Sequence, residues 1–203
     1  MAKQIRTVDE LREIVPPAPK LTESKLLDHL DEQAASFLAA SPFLLLSTSG
    51  ADGLIDVSPR GDEPGFVRIE DDRTIVIPER HGNNLAFGLL NIVANPNVGI
   101  IALVPNAGET LRINGTAAIL ADPELLQELG ARGKPAMLAL RVSIQRAFFQ
   151  CARAVLRAQI WKPESWAAPR RISFGKIIGK SAGMKEDVQQ QIDTMVERSY
   201  KTL

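Results

Sequence analysis

Apolar residues along this chain fall into two rhythms. Leu26, Leu27, Leu30, Ala34, Phe37 and Leu38 recur at helical spacing, which predicts a helix over 24–39 with Ser24 as its cap. Ser41-Pro42 stops it. The rhythm then shortens. "FLLLST" (43–48), "LIDVSP" (54–59), "FVRIE" (66–70) and "TIVIP" (74–78) are β-rich runs separated by Gly- and Asp-rich turns. "NNLAFGLLNIVANP" predicts a helix starting at 83 and ending at Asn95-Pro96. "VGIIALV" (98–104) is apolar throughout, the pattern of a strand buried on both faces. In "TLRINGTAAIL" (110–120), Leu111, Ile113, Ala117 and Ile119 alternate with Arg112, Asn114 and Thr116, as on a half-buried strand.

Asp122-Pro123 opens a short helix to about Leu129, and "MLALRVSIQ" (137–145) alternates again. "AFFQCARAVLRAQIW" (147–161) reads as a helix with Arg153, Arg157 and Trp161 at four-residue steps. The tail from Lys185 is an amphipathic helix with the narrow stripe Val188, Ile192, Met195 and Val196. The first twenty residues are polar and end in "PPAPK", an extended arm.

This order lacks a regular βαβ alternation. It predicts a mainly β, α+β protein: an antiparallel barrel with helices around it, not a doubly wound sheet. The expected division is an N-terminal arm and helix (1–40), a β domain (41–165) and a C-terminal loop and helix (166–203).

Composition narrows the function classes. No apolar run approaches the ~20 residues that span a bilayer, so no membrane partner is expected. The N-terminus has no signal-peptide core, and Cys151 is the single cysteine, so a cytoplasmic location is expected. Charge is zero overall but uneven. Gly130–Lys180 carries eleven Lys/Arg and one acid, Glu164, against thirteen Lys/Arg and twenty-three Asp/Glu elsewhere. The basic part either faces an anion or pairs with the acidic part inside the fold or a dimer. With 5% aromatics and no basic–aromatic alternation, nucleic acid is not an expected partner.

His29 and His81 with one cysteine make no zinc pattern, and no Gly-x-Ser-x-Gly elbow exists. "GKIIGKS" (175–181) is one residue too short between Gly175 and Gly179 for a phosphate loop, and reads as a turn before the last helix. The stretch "SPRGDEPGFVRIEDDRTIVIPERHGNN" (58–84) is a stronger candidate. Arg80-His81-Gly82-Asn83-Asn84 lies between a strand end and the predicted helix start, where backbone N–H groups favour an anion. Arg80 adds a permanent cation, Asn83 and Asn84 cap the helix or donate amides, and Arg60 converges on them if the strands are neighbours. Read without a ligand, the same residues are a helix cap beside an exposed arginine. Arg157 and Trp161 clamp a flat ring, or Trp161 anchors a core. Cys151 reads as a small buried hydrophobe. No catalytic residue is identified, and no metal site.

The run from "DVSPRGDEPGFVRIEDDRTIVIPERHGNN" to "VGIIALVPNAGETLRINGTAAI", with the later "FFQCARAVLRAQIW", resembles the pyridoxamine 5′-phosphate oxidase-like, split-barrel FMN-binding proteins over most of residues 40–165. The resemblance implies a homodimer of split β-barrels with FMN in a cleft between subunits. It implies a phosphate held at Arg80, Asn83 and Asn84 with Ser58 and Arg60. The backbone of Ile77 and Pro78 would lie along the flavin ring, with Arg112, Arg157 and Trp161 near it. The implied activity is FMN-dependent oxidation or reduction of a small molecule; the alternative is a flavin-binding module without turnover. Two departures stand out. Gln150 occupies the place of a histidine in the family's "FFHC" segment, and "WAAPRRISFG" only faintly echoes the C-terminal Arg-Pro-Trp-Arg-Leu pattern of vitamin B6 oxidases.

Overall fold

In the computed structural model, which describes residues 2–201, the alternation in 110–120 becomes strand β6 as expected. To place it among its neighbours, the strands run β1 (Phe43–Ser49), β2 (Ile55–Gly61), β3 (Arg68–Asp71), β4 (Thr74–Glu79), β5 (Asn97–Leu103), β6 (Thr110–Leu120) and β7 (Leu138–Gln150). The helices are α1 (Val8–Ile14), α2 (Lys20–Glu23), α3 (Glu32–Ala40), α4 (Phe87–Ala94), α5 (Pro123–Glu128), α6 (Arg153–Ala158), α7 (Phe174–Ala182) and α8 (Glu186–Tyr200). The chain divides into two units, Met1–Trp161 and Lys162–Leu203.

The first unit is α+β. Its seven strands form one sheet in the order β2-β1-β5-β6-β7-β4-β3, with every neighbouring pair antiparallel. The ladder does not close: β2 and β3 are its edges. It is nevertheless strongly coiled, because side chains at the end of β2 reach those at the end of β4, five places away in the sheet. The core lies on the inner face. Leu44, Leu46, Ile75, Ile77, Leu111, Ile113, Leu140 and Val142 meet there, covered by Leu38 of α3 and Ile92 of α4. A smaller cluster on the opposite face joins Val76 and Ala139 to Leu125 and Leu126 of α5.

That second cluster corrects the reading of 98–104. The strand buried on both faces is β4, not β5, because α5 covers its outer side. β5 alternates instead: Val98, Ile100 and Ala102 are buried, while Ile101 is 37% exposed. The predicted helix over 24–39 is likewise shortened. Asp31 caps α3 by accepting from the Ala34 N–H, and the preceding residues form a strap. Leu27 exchanges both backbone hydrogen bonds with Ala147, and the Leu30 N–H donates to Asp72 O. Pairing with the sheet defeats a helical spacing that has no cap of its own at Ser24. The arm before it is partly helical, since Thr7 and Glu10 form a capping box for α1.

The largest correction concerns 147–161. Ala147, Phe148 and Phe149 belong to β7, where Leu111 faces Phe149 and Ile113 faces Ala147. Phe149 packs edge-on against Phe37 with ring centres 5.3 Å apart. The helix that follows is only α6, ended by Gln159 in the left-handed conformation, so Arg153, Arg157 and Trp161 do not share one helical stripe. Cys151, just after β7, is exposed rather than buried. Its thiol is shifted down by a hydrogen bond from the Arg153 backbone, with smaller help from Gln150, Arg153 and Lys25.

In the second unit "GKIIGKS" is helical, not a turn: it lies within α7. Gly175 and Gly179 let α7 approach α8 so closely that a Cβ on either would strike Gln189. Asp193 of α8 accepts from the Ser173 hydroxyl at 2.5 Å and the Gly175 N–H at 2.8 Å, which holds its carboxyl below the usual range. The tail helix forms as expected through Tyr200; the last two residues of the predicted span lie outside the described residues.

Two measurements test this account. β6 and β7 shift register between Asn114 and Gly115, and a Cβ on Gly115 would strike the Ser143 carbonyl. Gly115→Ala is expected to cost about 1–3 kcal/mol, read from the urea midpoint. Asp28 is held down from 3.8 to about 2 by the Arg73 guanidinium and then by His29. Its folded pKa lies below its unfolded one, so its contribution is complete above 3.8 and disappears as pH falls toward 2. Asp28→Asn should flatten that acid limb of the stability curve.

Candidate functional site

A concavity in the sheet unit lies where β2 and β4 end. It is a cleft of about 570 Å³, within the usual range for small-molecule sites. β2 contributes Ser58 and Arg60, β4 contributes Pro78 and Glu79, and the loop after β4 contributes residues 80–86. Phe66, Leu85, Leu89 and Met137 supply apolar wall.

Two crossed ion pairs build its floor. Arg60 Nε donates to Glu79 Oε1 at 2.6 Å, and Arg80 Nε donates to Asp62 Oδ2 at 3.0 Å. Each segment thus gives one cation and one anion to the other. Arg132 Nη2 adds a third contact, 3.0 Å from Asp62 Oδ1. Arg132 occupies a left-handed position, with Gly133, in the tight turn that pairs Ala131 with Lys134. The Asp62 side chain is 4% exposed and that of Glu79 is 7%. Buried carboxylates of this kind require cationic partners. Three guanidiniums against two carboxylates leave one surplus positive charge, while Asp56 brings a further carboxylate to the same cleft.

Donors remain. Arg60 Nη1 donates to Ser58 Oγ and Pro59 O, and Arg80 Nη1 to Leu129 O, but Nη2 of each donates to nothing among the described residues. Nor do the backbone N–H groups of His81, Gly82, Asn83 and Asn84, all exposed, find an acceptor among those residues. The helix beyond starts later than the sequence predicts. α4 begins at Phe87, its cap Ala86 is left-handed, and no side chain caps it. Asn83 and Asn84 are therefore not helix caps. Asn83 accepts from the Leu85 N–H, and Asn84 has φ near 60°.

Of the residues singled out in the sequence, Ser58, Arg60, Pro78, Arg80, Asn83 and Asn84 come together here. Ile77 is fully buried in the main core and contributes no side chain to the cleft. Arg112, Arg157 and Trp161 do not line it. The Arg112 guanidinium lies 4.9 Å from the Phe148 ring centre, and Trp161 Nε1 donates to Ala107 O at 2.7 Å. The carboxylates Asp62, Glu79 and Asp56 escaped the sequence reading, although "RGDE" and "IPER" place acids directly among the arginines. The uneven charge is partly neutralised within the fold, by Arg132 with Asp62 and Arg141 with Glu70.

Residues 30–151 match the family model described as pyridoxamine 5′-phosphate oxidase. The chain belongs to that family. No curated protein matches it. Among solved structures similar to it is HupZ of Group A Streptococcus, 17% identical, covering 60% of this chain and 94% of that one with a TM-score of 0.50. Others are a Clostridium acetobutylicum protein of the pyridoxinephosphate oxidase family related to general stress protein 26 (14% identical, 60% and 91% covered, TM-score 0.45) and an FMN-binding protein of Syntrophomonas wolfei (12%, 70% and 95%, 0.42). The likeness to HupZ shows the fold alone. Within this pyridoxamine 5′-phosphate oxidase-family fold, the crossed pairs give a direct test. Glu79→Ala strands Arg60 in a half-enclosed site and is expected to cost about 3 kcal/mol in chemical denaturation. Replacing both partners by Met and Leu should recover much of that loss.

Proposed function

We propose that this cleft binds FMN and that the protein is a flavin-dependent oxidoreductase acting on a small molecule. The observation that carries the reading is the donor set beside the crossed ion pairs: two guanidinium edges and four successive backbone N–H groups, in a member of this family. A phosphate fits that chemistry, since charge-assisted hydrogen bonds from Arg are the strong kind. Glu79 and Asp62 hold the guanidiniums in place before any ligand arrives, so little ordering is left to do. Ser58 adds a hydroxyl, and Asn83 and Asn84 add amides. Phe66, Pro78 and Met137 offer apolar surface for a ring system. FMN, when bound, supplies the hydride or electron transfer itself.

The fold in this reading is one half of a split-barrel homodimer. Ile55 and Val57 on the outer face of edge strand β2, and Phe87, Leu90 and Val93 on α4, are all more than half exposed. A second copy seated there would cover them, border the cleft at Phe87, and bring in Arg112, Arg157 and Trp161 from across the dyad.

Titration of the purified protein with FMN is expected to quench flavin fluorescence with a Kd in the micromolar range or tighter. Arg80→Ala should weaken FMN by about 10–100-fold while leaving riboflavin, which lacks the phosphate, nearly unaffected. Absence of FMN binding at millimolar concentration would overturn the proposal. A second reading, a flavin carrier without turnover, draws support from Glu79 and Asp62 being tied to guanidiniums and so not free to act as bases. Anaerobic addition of NADPH decides between them: bleaching of bound FMN and reoxidation by an acceptor supports the enzyme, and an inert flavin supports the carrier.

A further inference from the structure

The helical hairpin of the second unit has an unusual face. Gly175 and Gly179 turn one side of α7 onto Gln189 of α8. Helical spacing then places Phe174, Ile177 and Ile178 on a different stripe, and these are 42%, 58% and 43% exposed. Lys180 borders that stripe, and Lys176 lies further round the helix. The segment leading into α7 continues the pattern with exposed Trp166 and Ile172 around Arg170 and Arg171.

Charge over this stretch is one-sided. Residues 165–185 contain Arg170, Arg171, Lys176, Lys180 and Lys185 and no acid. Arg171 pairs with Glu197 of α8 at 2.7 Å. Lys176 lies near enough to Asp193 of α8 to help lower that carboxyl, and Arg170, Lys180 and Lys185 form no salt bridge among the described residues. The acids of the unit lie outside the stretch, at Glu164 and on α8.

We propose that α7 and the basic segment before it dock on an anionic lipid surface. The combination required is an apolar stripe with aromatic residues, flanked by long cationic side chains whose stems lie along the interface while their heads meet headgroups. Charge decides the occupant. A second copy presenting the same face would bring like charges together, whereas an acidic bilayer surface complements them. No helix of the described chain is long and apolar enough to cross a membrane, and a helix lying in the interface needs no such length. The lack of a spanning segment, from which no membrane partner is expected, bears on crossing a bilayer and not on lying at its surface.

The test uses the full chain and sedimentation with vesicles of phosphatidylcholine, alone or mixed with phosphatidylserine. The protein is expected to sediment with the mixed vesicles at low salt, to leave them as salt rises, and to ignore neutral ones. Each cation near the surface is worth roughly a five-fold gain, so Lys176→Glu with Lys180→Glu should weaken binding by at least about 25-fold. Ile177→Asp, at an exposed position, should abolish binding with an unchanged circular dichroism spectrum. Failure to bind mixed vesicles at low salt overturns the proposal. So does binding that survives both sets of substitutions, or a change of self-association by the same variants without lipid, which would assign the face to a protein contact.

Discussion

Everything at the cleft depends on the exchange of charges between the ends of β2 and β4. The coiled sheet has no backbone hydrogen bond between these strands, which stand five places apart. Arg60 with Glu79, and Asp62 with Arg80, supply the link that the ladder leaves out. Because the pairs are reciprocal, sliding one segment along the other would break both at once. Such pairs add little net stability over well-packed apolar residues, but breaking them one-sidedly is costly. Their larger effect is on geometry. They fix two guanidiniums on the floor of the cleft, each with one nitrogen left without a hydrogen bond among the described residues.

The same constraint explains which parts of this protein can be read from its sequence. Strands β1 to β6 and the first part of β7 are legible because apolar runs, alternation and turn residues are local signals. The α+β class followed from their order. The two-sided burial of β4 was not legible, since it depends on α5, whose residues lie some fifty positions later. The end of β7 was misread because "AFFQCARAV" suits a helix until β6 offers Phe148 and Phe149 a partner strand. Leu27 leaves the helical pattern in the same way by pairing with Ala147, and Leu30 by donating to Asp72, partners that no local spacing announces.

At the site, the basic residues were visible and their counter-ions were not. Arg60 and Arg80 stand out as permanent charges beside glycines, whereas Asp62 and Glu79 look like ordinary surface acids until the sheet coils. Without the coil, the distance between residues 60 and 79 along the chain says nothing of a 2.6 Å contact. The expected helix start at Asn83 failed for a related reason. The loop from Arg80 to Ala86 follows the cleft wall, with Asn84 and Ala86 left-handed, before α4 can begin.

Arg132 shows how local comfort and distant demand can conflict. Its left-handed backbone in the Ala131–Lys134 turn is a place where asparagine or glycine would sit more easily. A protein engineer raising heat tolerance by turn optimisation would select this position early. The exchange would remove one of the two guanidiniums that Asp62 holds. A gain in the turn would then be registered as a shifted electric field around Asp62.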